Sequence, residues 1–178
     1  GLAPYGNFSS DETQNFIKLI KNNLVDIKND GSIFINQTYF KYTYGLRMIK
    51  DKKFQELFGL KTRKEEEEIT QTHCNMALAI QKITEDIVIR MAKETKRITN
   101  SKNICLAGGV ALNCVANGVL DDSGIFENIY IQPAAGDAGG ALGCALSVNH
   151  AFFDQERKYS KGYDLMKGSY LGPFYSTK

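Results

Sequence analysis

Apolar positions along this chain switch between a helical spacing and the alternation of strands, and the switches divide it into elements. From Ser9 to Ile27, the residues Phe16, Ile17, Leu19, Ile20, Leu24 and Ile27 recur at helical spacing, behind a Ser9-Ser-Asp-Glu12 start that fits a capping box. Asn29-Asp-Gly31 reads as a turn, and Ser32–Asn36 with Thr38–Tyr42, rich in aromatic and β-branched residues, as a hairpin. Asp51–Phe58 reads as a short helix stopped by Gly59. The longest pattern predicts a helix from about Lys64 to Ile98, with Glu65–Glu68 in its first turns and Lys93, Lys96 and Arg97 in its last, the order that the helix dipole favours. Its stripe of Ile69, Met76, Ile80, Ile83, Ile87 and Met91 is spaced to lie against a sheet. Asn103–Ala107 and Asn128–Gln132 read as buried strands, each followed by a helix, Val110–Leu120 and Asp137 to about Gln155. That order implies parallel neighbours joined by a right-handed crossover. Beyond Phe153 the pattern degrades into Lys158-Tyr-Ser-Lys-Gly-Tyr163, which reads as a tail or linker.

Two glycine-rich turns stand where the late strands pass into helices: Cys105-Leu-Ala-Gly-Gly-Val-Ala-Leu-Asn113 and Gln132-Pro-Ala-Ala-Gly-Asp-Ala-Gly-Gly-Ala-Leu-Gly143. Such turns aim free backbone N–H groups and a positive helix end at one place, where phosphates bind, and both fall at the same end of the sheet. Gly108 and Gly109 remove side chains where a ligand could approach, and Asn113 could offer its amide to a base or ribose. In Gly136-Asp137-Ala-Gly139-Gly140 the aspartate stands where an N-cap belongs, and capping accounts for it without a ligand. The alternative is a metal ligand, since a cation would reconcile a fixed carboxylate with a phosphate loop; its partner ligands would come from elsewhere.

Composition narrows the classes. The 178 residues are 43% hydrophobic, enough for a core, and the 22 basic and 20 acidic side chains are interspersed, with a net charge of +2. That balance argues for neither nucleic acid nor a membrane surface as partner, and no apolar run is long enough to span a bilayer. The expected location is cytoplasmic. Cys74, Cys105, Cys114 and Cys144 form no CxxC pair and read as small buried thiols. His73 and His150 belong to no metal-binding spacing and read as surface or satisfied histidines. The acidic run Glu65–Glu68 reads as a solvated helix start, and no nucleophile elbow is present, so no catalytic residue is assigned. Glu85, with Gln81 one turn earlier, is either a carboxylate projecting toward the loops or a solvated one. The opening Gly1-Leu-Ala-Pro-Tyr-Gly6 and the closing Ser169–Lys178 suggest a piece of a longer protein.

Four segments carry a resemblance that covers essentially the whole chain: Gly1–Gly6, Cys105–Asn117, Gln132–Ala145 and Tyr170-Leu-Gly-Pro173. In that order they resemble the nodulation-type O-carbamoyltransferases. The resemblance implies an α/β ribonuclease-H-like, actin-like ATPase fold of two lobes, with this chain as the second lobe: a mixed sheet flanked by helices around one long helix. Residues 1–157 would form that lobe and 158–178 the linker toward a further domain. It also implies ATP as cofactor, with Gly108, Gly109 and Asn113 on the adenosine side, Gly136 and Gly139 beside the phosphates, and Asp137 as a ligand to a divalent metal, iron in this family. The metal's histidine pair and the domain handling carbamoyl phosphate would lie outside the chain. The implied reaction activates a carbamoyl group as a carbamoyl-adenylate, which a hydroxyl of a small-molecule acceptor then attacks. The chain by itself would be inactive, and the face left by the absent first lobe could drive homodimerisation. A threonylcarbamoyl-transfer protein acting on tRNA and a non-catalytic nucleotide-binding lobe are the alternatives.

Overall fold

The computed structural model describes residues 1–157, 162, 169 and 172–176. These are α/β and divide into two compact units, Gly1–Ser101 with Gly118–Ile125, and Lys102–Asn117 with the described residues from Phe126 onward.

In the first unit a 3-10 turn, Ala3–Tyr5, precedes helix α1, Asp11–Leu19, which starts at Ser10, whose Oγ accepts the Thr13 N–H. The helix does not continue to Ile27. It loosens into a π-helical turn, Ile20–Leu24, and passes into strand β1, Val25–Ile27, where β-branched residues alternate with Asp26. Strand β2, Ile33–Ile35, pairs antiparallel with β1 in the register Val25↔Ile35 and Ile27↔Ile33, so the expected hairpin with 38–42 is replaced by one closing over Asn29-Asp-Gly31. Asn36 ends it: its backbone N–H donates to Leu24 O, its amide donates to Asn23 O, and its Oδ1 accepts the Thr38 N–H, which bends the chain away. Helix α2, Asp51–Phe58, ends at Gly59 with φ 69°, as its pattern predicts.

Helix α3 runs from Gln71 to Thr99, with Asn100 left-handed at its end. Glu65–Glu68 are therefore outside it. Arg63 donates to the carbonyls of Glu65 and Glu67, and the Glu67 carboxylate accepts the Lys64 N–H, so the acidic run forms its own turn ahead of α3. The helix starts instead at Thr70, whose backbone N–H donates to His73 Nδ1 at 3.0 Å. A histidine thus takes the place of the glutamate of a capping box. The inward face keeps part of the expected stripe, with Ile83 buried and Met76 and Ile87 packed against the core, but it also takes in Cys74, Leu78, Ala79 and Ala92, whereas Ile69, which precedes the helix, and Ile80 and Met91 within it are exposed. That face packs on α1 and the N-terminal turn rather than on a sheet. Phe16, Ile20, Leu24, Ala79 and Ile83 form the core, bordered by Phe54 and Phe58 of α2, with Phe58 edge-on to Phe16 at 6.0 Å.

In the second unit strands β3, Asn103–Leu106, and β4, Asn128–Ile131, pair in parallel with Ile104 opposite Ile129 and Leu106 opposite Ile131. They are not buried on both faces: Ile104, Leu106, Ile129 and Ile131 are half-buried, while Cys105 and Tyr130 face outward. The helix expected over Val110–Leu120 is split into a 3-10 turn, Gly109–Leu112, and helix α4, Cys114–Asp122, of which only the first four residues are counted with this unit. Helix α5, Asp137–Ser147, gives way to a π-helical turn, Val148–Phe152. Among the described residues there is thus no mixed sheet, but two small ones, one antiparallel and one parallel. Cys74 is buried as expected; Cys105, Cys114 and Cys144 are exposed free thiols. No helix among the described residues is long and apolar enough to cross a membrane. The Lys158–Tyr163 tail, apart from residue 162, and Tyr170-Leu171 lie outside the described residues.

Candidate functional site

Both glycine-rich turns belong to the second unit, and parallel pairing of β3 with β4 brings them side by side. The ladder continues past the strands through Gln132 N–H to Leu106 O at 3.1 Å, and then Gly108 N–H donates to Ala135 O at 2.7 Å. This last bond joins the two turns. Gly108 has φ 97° and ψ 165°, a conformation essentially reserved for glycine, and a methyl group at Gly108 or Gly109 would meet nothing within 4 Å. The backbone of this turn is open to an approaching molecule.

Asn113 carries a structural duty at this place. Its Oδ1 accepts the Ala116 N–H at 3.0 Å and so caps α4, while Asn117 Nδ2 returns to Ala111 O at 2.8 Å and holds the 3-10 turn. In the second turn Gln132 Oε1 accepts the Ala134 N–H at 2.9 Å, shaping the approach to Ala135, which is buried. Gly136, not Asp137, is the N-cap of α5, and Asp137 is its exposed first residue. The capping role that would account for the aspartate without a ligand is therefore not the one it plays. Gly139 is needed for packing: its Cβ would fall 2.1 Å from Ala134 O. Gly136 meets only Leu112 Cδ1 at 3.3 Å, and Gly140 faces open space.

The electrostatics of these turns come from the backbone. From Asn103 to Phe153 the chain carries no lysine or arginine. A phosphate seated here would meet N–H groups and the N-terminus of α5, with Asp137 the one carboxylate in either turn. The fit to a metal is incomplete: among the described residues no group of three or more His, Cys, Asp or Glu side chains is placed to hold an ion. Two cavities, of about 510 and 590 Å³, are lined by first-unit residues, so neither contains any of the six residues singled out in the turns.

The remaining candidates have structural partners. His73 caps α3, and His150 Nδ1 lies 2.7 Å from Gln155 O. Glu85 is neither solvated nor open: it is 6% exposed and accepts from Lys82 Nζ at 2.7 Å and Gln81 Nε2 at 3.1 Å. Sequence reading passed over Ala135 and Gln132, which shape the joined turns. Gln132 beside Pro133 was the available signal, a polar side chain positioned to satisfy a backbone donor two residues on.

The carbamoyltransferase N-terminus family matches residues 1–146. An uncharacterised protein of Synechocystis sp. is 48% identical over all 178 residues, which cover 28% of its own length. Nodulation protein NolNO of Sinorhizobium fredii is 35% identical over 84% of this chain and 19% of its own length. Nodulation protein NolO of Bradyrhizobium diazoefficiens is 42% identical over 52% of the chain and 17% of its own length. The chain thus spans less than a third of these relatives, and both glycine-rich turns fall inside the matched family region. It belongs to the nodulation-type carbamoyltransferase family, within the part described as the carbamoyltransferase N-terminus.

Proposed function

We propose that the joined turns form one side of a nucleotide site in a carbamoyltransferase that moves a carbamoyl group from carbamoyl phosphate, through a carbamoyl-adenylate, to a hydroxyl of a small molecule. The Gly108–Ala135 hydrogen bond carries this reading, because it holds the two glycine-rich turns against each other, the first with open space over Gly108 and Gly109. Gly108, Gly109 and Asn113 would flank the adenosine, and Gly136 and Gly139 the phosphates. The α5 N-terminus and neighbouring amides would stabilise negative charge developing on the phosphate without reorganising. With no cationic side chain in either turn, the compensating charge must come from outside them. Iron or another divalent cation is the family's expectation, but Asp137 alone does not make a metal site, and no step is assigned to a metal.

The test is pyrophosphate release by the full-length polypeptide supplied with ATP, carbamoyl phosphate and a hydroxyl acceptor. If Asp137 works through a cation whose other ligands come from outside these turns, Asp137→Asn, which leaves the α5 start intact, should lower the rate roughly 100-fold. Unchanged turnover would remove Asp137 from the site, and absence of ATP-dependent pyrophosphate release would overturn the reading. The 178-residue chain alone is expected to show no carbamoyl transfer.

A further inference from the structure

The chain-wide balance of charge conceals a local excess in the first unit. Between the Phe40↔Ile49 bridge the backbone makes a loop closed at its base by Lys41 N–H to Met48 O and Lys50 N–H to Tyr39 O, both 2.9 Å. Inside it, the Tyr44 and Gly45 N–H groups both donate to Lys41 O, at 3.1 and 2.7 Å. The loop is therefore braced, yet it holds its large apolar side chains outward: Tyr44 is 74%, Leu46 108% and Met48 69% exposed. Cations surround them. Arg47 separates Leu46 from Met48, Lys50 Nζ sits 5.8 Å from the Tyr44 ring, and the Lys41 stem lies beside Gly45. From Lys41 to Lys53 there are five cationic side chains and one carboxylate, Asp51, which already accepts from Thr62 Oγ1 at 2.9 Å and Arg47 at 3.1 Å.

A convex apolar tip ringed by cations matches a fluid apolar layer behind a sheet of negative charge. Nucleic acid would satisfy the cations and stack on tyrosine, but would give Leu46 and Met48 nothing to enter. A folded acidic partner would need a pocket shaped to the protruding tip. An anionic bilayer needs no preformed pocket: the apolar side chains enter the acyl boundary while the lysine and arginine heads remain at the phosphate level. We infer that the Phe40–Ile49 loop, with the cations of Lys50 and of Lys52 and Lys53 at the start of α2, docks the protein reversibly on anionic lipid surfaces. This rests on the first unit alone and does not depend on the proposed chemistry.

The experiment is co-sedimentation of the full-length polypeptide with vesicles of phosphatidylcholine, with and without phosphatidylglycerol. Binding is expected on the anionic vesicles only and should fall steeply with added salt. Leu46→Glu should weaken it by about tenfold or more, and neutralising Lys52 or Lys53 to Gln by about fivefold each. Leu46→Trp should show blue-shifted emission on binding. Because Leu46 is fully exposed, these variants should keep the wild-type melting midpoint. No binding to anionic vesicles, binding indifferent to Leu46→Glu, or a Leu46→Glu change in melting midpoint or oligomer size would overturn the inference. The last result would assign the tip to a protein interface.

Discussion

The backbone N–H of Gly108 donates to the carbonyl of Ala135 at 2.7 Å, so two turns distant in sequence share one hydrogen bond. In this arrangement Gly108 holds φ 97°, where an L side chain is strained even though its Cβ would meet nothing within 4 Å. Gly108→Ala is therefore expected to cost about 1–3 kcal/mol through backbone strain rather than collision. Chemical denaturation of the chain checks this. A neutral result would mean that the turn relaxes and that its geometry is not fixed by the bond.

Neighbouring glycines separate packing from function. Gly139→Ala would drive a methyl group to 2.1 Å from Ala134 O, a backbone atom, and is expected to disrupt the second turn and lower stability by at least about 1–3 kcal/mol. Gly109 has open space at its Cβ and no positive φ, so Gly109→Ala should stay within about 0.5 kcal/mol of wild type. If a nucleotide approaches that backbone, the same substitution should raise the ATP requirement of the full-length protein. Measuring the melting midpoint and ATP titration on both variants distinguishes a folding glycine from a binding one. A Gly109→Ala protein with unaltered ATP dependence would take that residue out of the proposed pocket.

The second unit was more legible in the sequence than the first because its signals are local. Apolar runs that pass into glycine-rich turns mark β3, β4 and their parallel pairing. The first unit depends on partners that periodicity does not reveal. Val25 and Ile27 continue a helical spacing but leave it for β2, because a complementary strand lies just beyond the turn. Glu65–Glu68 resemble a helix start, yet Arg63 folds that run into a turn and His73 supplies the cap in place of an acid. Burial misled in the second unit: Cys105, Cys114 and Cys144 sit in apolar runs but are exposed. At the site, both turns were visible as motifs. Hydrogen-bond partners are not visible there: Asp137 stands where an N-cap belongs, with a metal ligand as the alternative, yet Gly136 is the cap of α5, and the amide of Asn113, expected toward a base or ribose, caps α4.

Acid should reveal the Asp86 carboxylate, which pairs with Arg90 within α3 and with Lys21 of the π-helical turn. The hydrogen bond from Arg90, at 2.8 Å, holds the Asp86 carboxyl below its ordinary value of 3.8; burial opposes this, and Lys21, at 2.9 Å, reinforces it. A carboxyl with a depressed value in the folded state binds fewer protons than in the unfolded state. Its contribution is therefore present above 3.8 and is lost as pH falls through the lower folded value. Asp86→Asn should lower the denaturation midpoint at neutral pH, with the gap from wild type closing in strong acid. A gap independent of pH would show that the side chain acts by shape rather than charge.

The N-terminal segment, α1 and α3 meet at one buried amide. Asn75 is 3% exposed; its Nδ2 donates to Glu12 Oε2 at 2.6 Å, and its Oδ1 accepts the Asn7 N–H at 2.8 Å and Gln71 Nε2 at 2.9 Å. Thr72 Oγ1 satisfies the other Glu12 oxygen at 3.0 Å, and Gly6 passes so close to α3 that a Cβ there would fall 2.7 Å from Cys74 O. Removing the amide leaves a carboxylate and a backbone N–H without this partner, so Asn75→Ala should cost about 2–3 kcal/mol. Asn75→Asp preserves shape but replaces the donor with a second carboxylate facing Glu12, and should be more damaging than alanine at neutral pH. Protonating either acid restores a donor between the two oxygens, so the Asp variant should regain stability relative to Ala as pH is lowered. Denaturant midpoints of both variants across the acid range check this order, and an Asp variant that stayed below Ala throughout would mean that packing, not the shared hydrogen bond, makes this position sensitive.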